Sequence, residues 1–284
     1  MTKATYISPH YPKIRIDVLR RGEEVLEASN VMADAFADSP SYNVMLSHLD
    51  QTTNNQRRDA LQWLFYKNIN LMLDRCPSAC KCVRLVEPLP SSSSSTSTLD
   101  DSSENRDDSQ NQEETQSSIN KNEPVVGKMV AAFLWTPEEH EEIDLWTVIR
   151  YGGLLEMPFR LGWKGFLNLL SALDVFKKMW QEVSTHQSKL HPDAFLPSSK
   201  WITLERMTVI PQYQGQGIGS QALQLMVDEA DCCGHHVKLS TQEHRNVRFY
   251  CKLGFEIVDE RDMVQDEEGS YHTWTLVRYA KSSS

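Results

Sequence analysis

Between the run Trp201-Ile202-Thr203-Leu204-Glu205-Arg206-Met207-Thr208-Val209 and a helical stretch that ends at Cys233 lies Pro211-Gln212-Tyr213-Gln214-Gly215-Gln216-Gly217-Ile218-Gly219-Ser220. A strand, a glycine-rich turn and a helix in that order aim several unpaired backbone N–H groups and the positive end of a helix dipole at an anion. Two widespread forms of the device are not met. No Gly-Lys-Ser/Thr follows, which excludes a P-loop, and the glycines run G-x-G-x-G, which departs from the dinucleotide fingerprint. Glycines also permit tight turns for purely structural reasons, so the turn alone carries little weight.

The strand ahead of the turn holds a second signal. Ile202 and Leu204 are in one phase of the two-residue alternation and Met207 and Val209 in the other, with Glu205-Arg206 at the slip. One reading is a β-bulge, an extra residue that breaks ladder pairing and leaves backbone amides free for another partner. The other is a central strand partly buried on both faces. The cysteines add no metal chemistry: Cys76, Cys80 and Cys82 lack a matching pair at zinc-site spacing, and the adjacent Cys232-Cys233 cannot chelate one ordinary site. All six read as buried free thiols, and no metal is expected. His235 and His236 read as the end of the helix rather than as catalysts.

The chain of 284 residues is 40% apolar and 24% charged, the balance of a globular protein able to bury a core. Its formal charge of -10 argues against nucleic acid and anionic lipid as general partners. No apolar run approaches the ~20 residues that span a bilayer, so no membrane partner is expected. Met1 to Pro9 lacks the apolar core of a signal peptide, which predicts a cytoplasmic protein and leaves the nucleus open. The charge is unevenly placed. Between Pro90 and Pro124 a serine run, Ser91 to Ser95, leads into eight acidic residues opposed only by Arg106 and Lys121, a balance of 2 − 8 = −6. Such a stretch cannot bury enough surface to offset its ordering entropy. Residues 91–123 therefore read as a disordered acidic loop; a phosphorylated or partner-binding segment is the functional alternative. Deleting Ser91 to Ser118 is expected to leave melting temperature and cofactor affinity nearly unchanged.

Around these features the patterning predicts the elements that must position them. Ile14 to Leu19 alternates as a strand, Glu23 to Ala37 and Gln56 to Leu73 carry helical apolar spacing, and Cys82 to Val86 and Val125 to Trp135 read as an antiparallel pair. Asp144 to Val183 reads as two helices. Its Trp146, Tyr151, Phe159, Trp163, Phe166, Phe176 and Trp180 are either the core of a helical hairpin or the wall of an apolar pocket. The tail reads as a βαββ unit: Val237 to Ser240, a short helix capped by Asn246 and ended by Gly254, then Phe255 to Val258 and Tyr271 to Val277.

With these residues in view the chain resembles the GNAT superfamily of acyl-CoA-dependent N-acyltransferases. The superfamily's Q/R-x-x-G-x-G/A signature after a bulged strand matches Gln214-Gly215-Gln216-Gly217-Ile218-Gly219. Arg245-Asn246-Val247-Arg248-Phe249-Tyr250-Cys251-Lys252-Leu253-Gly254-Phe255 is close to its N-x-x-x-x-F/Y-Y-x-x-x-G-F region, with a shorter spacing to Asn. Within the superfamily the chain is most similar to puromycin N-acetyltransferase-like proteins, through Trp135-Thr136-Pro137-Glu138, Val209 to Gly215 and Arg245-Asn246. The likeness covers 125–279 well.

The resemblance implies a mixed α/β fold: a mostly antiparallel sheet of about seven strands, flanked by helices, with splayed fourth and fifth strands. It implies one N-acetyltransferase domain over 1–284, with 91–123 inserted between the second and third strands and a helical insertion, 138–199, between the third and fourth. Acetyl-CoA would be the acyl donor and lie in the splay. Backbone amides of Met207 and Val209 would meet its pantetheine arm, those from Gln214 through Gly219 its pyrophosphate, and Asn246 the arm near the thioester; Thr208, Ser220 and Phe249 complete the expected cofactor set. An amine of pKa ~10 must lose a proton before attack and a thiolate of pKa ~8.5 gains from a proton donor. Tyr250 matches the family's tyrosine near the sulfur and is the candidate general acid, or else a core tyrosine. Glu205 is the candidate base, or else a partner of Arg206 or Arg248. Cys251 has no histidine beside it in sequence and is not expected to be a nucleophile. The expected reaction is direct acetyl transfer to a primary amine of a small molecule, by a monomer or homodimer. Protein or peptide amines, or a CoA-binding sensor without turnover, are the alternatives.

Overall fold

Period-two alternation divides the strands' apolar side chains between two helical layers. The computed structural model describes residues 13–49, 56–86, 127–140, 145–264 and 269–281. The acidic segment 91–123 lies outside the described residues, although its flanks are held together by Gly127 N–H donating to the Leu85 carbonyl at 2.8 Å. In chain order the elements are β1 (Ile14–Val18), α1 (Glu23–Phe36), α2 (Pro40–Met45), α3 (Gln56–Arg75), β2 (Cys80–Leu85), β3 (Met129–Pro137), α4 (Leu145–Arg150), α5 (Met157–Leu190), β4 (Lys200–Val209), α6 (Ile218–Cys233), β5 (His235–Thr241), α7 (His244–Cys251), β6 (Glu256–Val264) and β7 (Ser270–Arg278). They form one seven-stranded sheet in the order β1-β2-β3-β4-β5-β7-β6, antiparallel throughout except for the parallel β4–β5 pair. That is the mixed, mostly antiparallel fold expected.

On one face α1, α3 and the start of α5 pack Met32, Leu61, Phe65 and Ile69 against Cys80, Cys82, Ala132 and Leu134. On the other, Ile218, Ala222 and Met226 of α6 and Tyr250 of α7 meet Phe133, Ile202, Leu204 and Leu239. From Met129 to Thr136, β3 is buried on both faces, as a central strand must be. Removing a side chain as large as Phe65, fully buried here, would cost about 3–5 kcal/mol.

Several boundaries and assignments differ from expectation. Helix α2 lacked a sequence assignment because six residues cannot show a helical period; its signals were Ser39 at the N-cap and Pro40 in the first turn. The predicted helical pair became short α4 and 34-residue α5, the latter broken at Gly162 (φ 68°). The break frees the Leu161 carbonyl, which lies 2.7 Å from His48 Nε2. Asn246 does not cap α7: Glu243 holds the cap position and Asn246 sits in the first turn. His235 and His236 open β5 rather than close α6, because Gly234 (φ 69°) has already ended that helix. His236 stacks on Trp201 with centroids 4.8 Å apart. Of the cysteines, Cys76, Cys80 and Cys82 are buried, and burial pushes the Cys80 thiol up to about 12. Cys232, Cys233 and Cys251 are exposed, because they fall on the outer faces of short amphipathic elements.

Candidate active site

The bulge reading of β4 is correct. Ala132 of β3 pairs with Thr208 but Leu134 pairs with Glu205, so β4 carries one extra residue across that step. Arg206, at φ 54°, absorbs the kink. The extra residue explains the phase slip: Ile202, Leu204, Met207 and Val209 all pack into the α6-side cluster despite their opposite parity.

Pairing with β5 runs only from Lys200↔His235 to Thr203↔Lys238. Past the bulge β4 has no partner on that side among the described residues, and a V opens between the strands. Ile210 N–H donates to the Val130 carbonyl on the β3 side at 2.9 Å. Amide directions alternate along a strand, so those of Val209 and Met207 point the other way, into the V. Thr208 is buried and spends its hydroxyl on the Ala132 carbonyl at 3.0 Å, which leaves it a structural part in the sheet.

At the foot of the V the chain turns through Gly215 and Gly217, at φ 76° and 77°. Either position with a side chain would strain by about 1–2 kcal/mol. Gln214 secures the turn, its Nε2 donating to the Val209 carbonyl at 2.9 Å. Gln221 N–H is bonded to the Gly217 carbonyl at 2.9 Å, so the amides of Ile218, Gly219 and Ser220 before it have no acceptor inside α6 and face outward at its positive end. Gly219 fits closely beneath: a Cβ there would come within 3.4 Å of Val209 Cγ2.

A cavity of about 930 Å³ joins the turn, the V and the space under α1, α2 and α5. Every expected site residue lines it except Gln216, whose Nε2 turns back to the Gln212 carbonyl at 3.0 Å. Asn246 Nδ2 reaches Thr241 Oγ1 at 3.4 Å, which sets it at the end of β5 on the rim of the V. Tyr250 is 8% exposed, edge-on to Phe249 and Phe255 at 5.1 and 5.7 Å. Burial pushes its phenol above the ordinary range, so it holds its proton at neutral pH. Glu205 Oε2 accepts from Arg206 Nη1 at 3.0 Å, so its ion-pair reading is met, yet the carboxylate also lines the cavity.

Other lining residues escaped the sequence. Arg206 places its guanidinium 5.6 Å from the Phe65 ring centroid and donates to Asn68 Oδ1 at 3.0 Å. Tyr42 and Tyr271, from α2 and β7, line the far side with Phe36. Lys238 sets Nζ 4.9 Å from the Trp180 ring and 3.7 Å from Glu138. The strict alternation in Val237-Lys238-Leu239-Ser240 was the available signal for Lys238; no local signal marks the tyrosines. The aromatics expected between 144 and 183 divide: Phe176 and Trp180 line the cavity, Phe166 packs on the core, and Phe159 and Trp163 stand 86% and 68% exposed. Among the described residues no group of three or more His, Cys, Asp and Glu could hold a metal, and no helix is long and apolar enough to cross a membrane.

This arrangement meets independent likenesses. Residues 183–257, which hold β4, the turn, α6, β5 and α7, match the family model of the acetyltransferase (GNAT) domain. An L-methionine sulfoximine/L-methionine sulfone acetyltransferase of Salmonella typhimurium is 32% identical over 73 residues, 25% of this chain and 43% of that protein, so the chain spans less than half the length of this curated relative. Among solved structures, arylalkylamine N-acetyltransferase 2 from Aedes aegypti aligns with TM-score 0.48 and 12% identity over 94% of this chain and 99% of its own. A Corynebacterium glutamicum protein described as histone acetyltransferase HPA2 and related acetyltransferase aligns at 0.47 with 14% identity, over 96% and 99%.

Proposed function

We propose that the protein is an N-acetyltransferase that moves the acetyl group of acetyl-CoA to a primary amine of a small molecule, by direct attack with both substrates bound. The observation that carries this reading is the bulge at Arg206, which opens the V beside the glycine turn and places Glu205 and Tyr250 along the same cavity. The donor set fits the cofactor: outward amides at Met207 and Val209 suit an extended amide-bearing arm, and the free amides of Ile218, Gly219 and Ser220 at a helix N-terminus suit a pyrophosphate. Acetyl-CoA supplies an acyl carbon activated as a thioester.

The chain's own groups then manage two protons. Glu205 accepts a proton from the incoming ammonium, directly or through water, and so exposes the lone pair. Tyr250, kept protonated by burial, donates its phenol proton to the departing sulfur. One C–N bond forms and one C–S bond breaks; of the two protons the ammonium loses on becoming an amide, Glu205 takes the first, the second leaves the tetrahedral adduct to replace, through water, the one Tyr250 gave the sulfur, and the net proton departs from Glu205 to solvent. The amino-acid analogues in the bacterial relative's name favour a small acceptor. Release of free thiol from acetyl-CoA across an amine panel tests the reading, with Glu205→Gln and Tyr250→Phe beside the parent. Amine-dependent release that drops in both variants is expected. Unchanged rates in both would remove the mechanism, and tight acetyl-CoA binding without release would favour a sensor.

A further inference from the structure

Neighbours in a regular strand point to opposite faces, so Glu205 and Arg206 would ordinarily part across the sheet. The bulge turns them the same way instead. Glu205 Oε2 and Arg206 Nη1 are 3.0 Å apart, and both residues line the cavity. Bulges beside active sites commonly re-aim a side chain in this manner. The residue that carries the bend is itself unusual. Gly215 and Gly217 take their positive φ at no steric cost, whereas Arg206 adopts φ 54° with a full side chain. A glycine would make the same bend with less strain, so the bulge by itself does not require an arginine.

What the arginine adds is a seated guanidinium. Nη1 also donates to Asn68 Oδ1 of α3 at 3.0 Å, and the charge lies 5.6 Å from the centre of the Phe65 ring. Phe65 and Asn68 are three apart on α3 and so present ring and amide together, and Phe65 is fully buried. The Tyr42 hydroxyl of α2 is within hydrogen-bonding reach as well. Glu205 has no such seat of its own. Its side chain is 44% exposed, and a long exposed side chain samples many rotamers unless something holds it. At that exposure the ion pair adds little stability, so its consequence is geometric.

Resting on the acetyltransferase reading above, we propose that Arg206 is a positioning residue: its guanidinium, seated on Phe65 and Asn68, holds the Glu205 carboxylate at the place in the cavity where the acceptor's ammonium gives up its proton. Oε2 accepts from Arg206, and Oε1 is the oxygen left to take that proton. Proton transfer needs hydrogen-bonding distance, and a displacement of about 1 Å can cost on the order of 100-fold in rate. The same seat ties the base to α2 and α3, the helices that bring Tyr42 and Asn68 to the cavity.

Arg206→Gly removes the guanidinium and leaves a residue at ease at φ 54°. With an amine the parent acetylates, its kcat should fall roughly 30- to 100-fold while the acetyl-CoA dissociation constant stays within about twofold. Arg206→Lys keeps the charge without the planar fork and should recover only part of the rate. Asn68→Ala unseats the guanidinium without altering β4 and should lower kcat severalfold, again with acetyl-CoA affinity unchanged. The deciding readout is the double variant Glu205→Gln, Arg206→Gly. An arginine that acts through Glu205 has nothing left to position there, so the double variant should be no slower than Glu205→Gln alone. Multiplied losses in the double variant, an unchanged kcat in Arg206→Gly and Asn68→Ala, or an equal loss of acetyl-CoA affinity in either overturns the inference and leaves the acetyltransferase reading standing. Absence of thiol release from every amine overturns that reading and this inference with it.

Discussion

The two ends of the cavity are built in different ways. The end formed by β4, the glycine turn and α6 presents backbone: amides of Met207, Val209 and the first turn of α6, held by a bulge at φ 54° and glycines at φ 76° and 77°. The end under α1, α2 and α5 presents side chains from five separate elements, Phe36, Tyr42, Phe176, Lys238 and Tyr271. Backbone sites demand particular residue types at fixed spacing and tolerate little variation. Side-chain sites ask only that some suitable group arrive at the right place. The first kind suits a ligand common to many enzymes, the second a ligand that differs among them.

Substitutions can separate the two ends. The largest effect is expected at the clamp behind the cofactor end, where Arg278, 3% exposed on its side chain, grips Asp231 through two 2.6 Å bonds and donates to the Leu253 carbonyl. Asp231→Ala leaves that guanidinium uncompensated and should cost about 3–5 kcal/mol in denaturant unfolding. The same pair sets an acid limit. Hydrogen bonding to Arg278 holds the Asp231 carboxyl below its usual range. Its folded value is the depressed one, so its contribution is complete above the unfolded value near ~4 and fades as pH falls through the folded value. A melting-temperature series from pH 5 downward should show that fall in the parent and a shallower one in Asp231→Asn.

Next, Tyr250→Phe should lower kcat by roughly 100-fold with little change in acetyl-CoA affinity, the mark of a proton donor rather than a binding group. Stopped-flow thiol release and calorimetry together check the split. Gly217→Val forces a β-branched residue into the left-handed region at a cost of roughly 1–3 kcal/mol. It should weaken acetyl-CoA binding about tenfold or more by calorimetry while acceptor specificity is kept. Smallest is Phe176→Ala, which should raise acceptor KM severalfold and leave the acetyl-CoA dissociation constant alone. If that variant also lost acetyl-CoA, the division of the cavity into two ends would be wrong.

The same contrast explains what could be read in advance. The parity slip across Glu205-Arg206 and the spacing of Gly215, Gly217 and Gly219 are local, so the bulge, the turn and α6 could be placed from sequence. Tyr42 and Tyr271 are 229 residues apart, 271 − 42, and each is an ordinary apolar aromatic in its own segment. Only the fold brings them together, and the same holds for the Arg206–Asn68 bond, which exists only across β4 and α3. Asn246 was misplaced as a cap because Glu243, a weaker capping type, begins α7 three residues earlier.

Amide hydrogen exchange with and without saturating acetyl-CoA tests the backbone-built cofactor end most directly. Slowed exchange at Met207, Val209, Ile218, Gly219 and Ser220, with the segments around Tyr42 and Tyr271 unchanged, is the predicted result. Binding that slows exchange around Tyr42 and Tyr271 but leaves the β4 and α6 amides untouched would contradict the account.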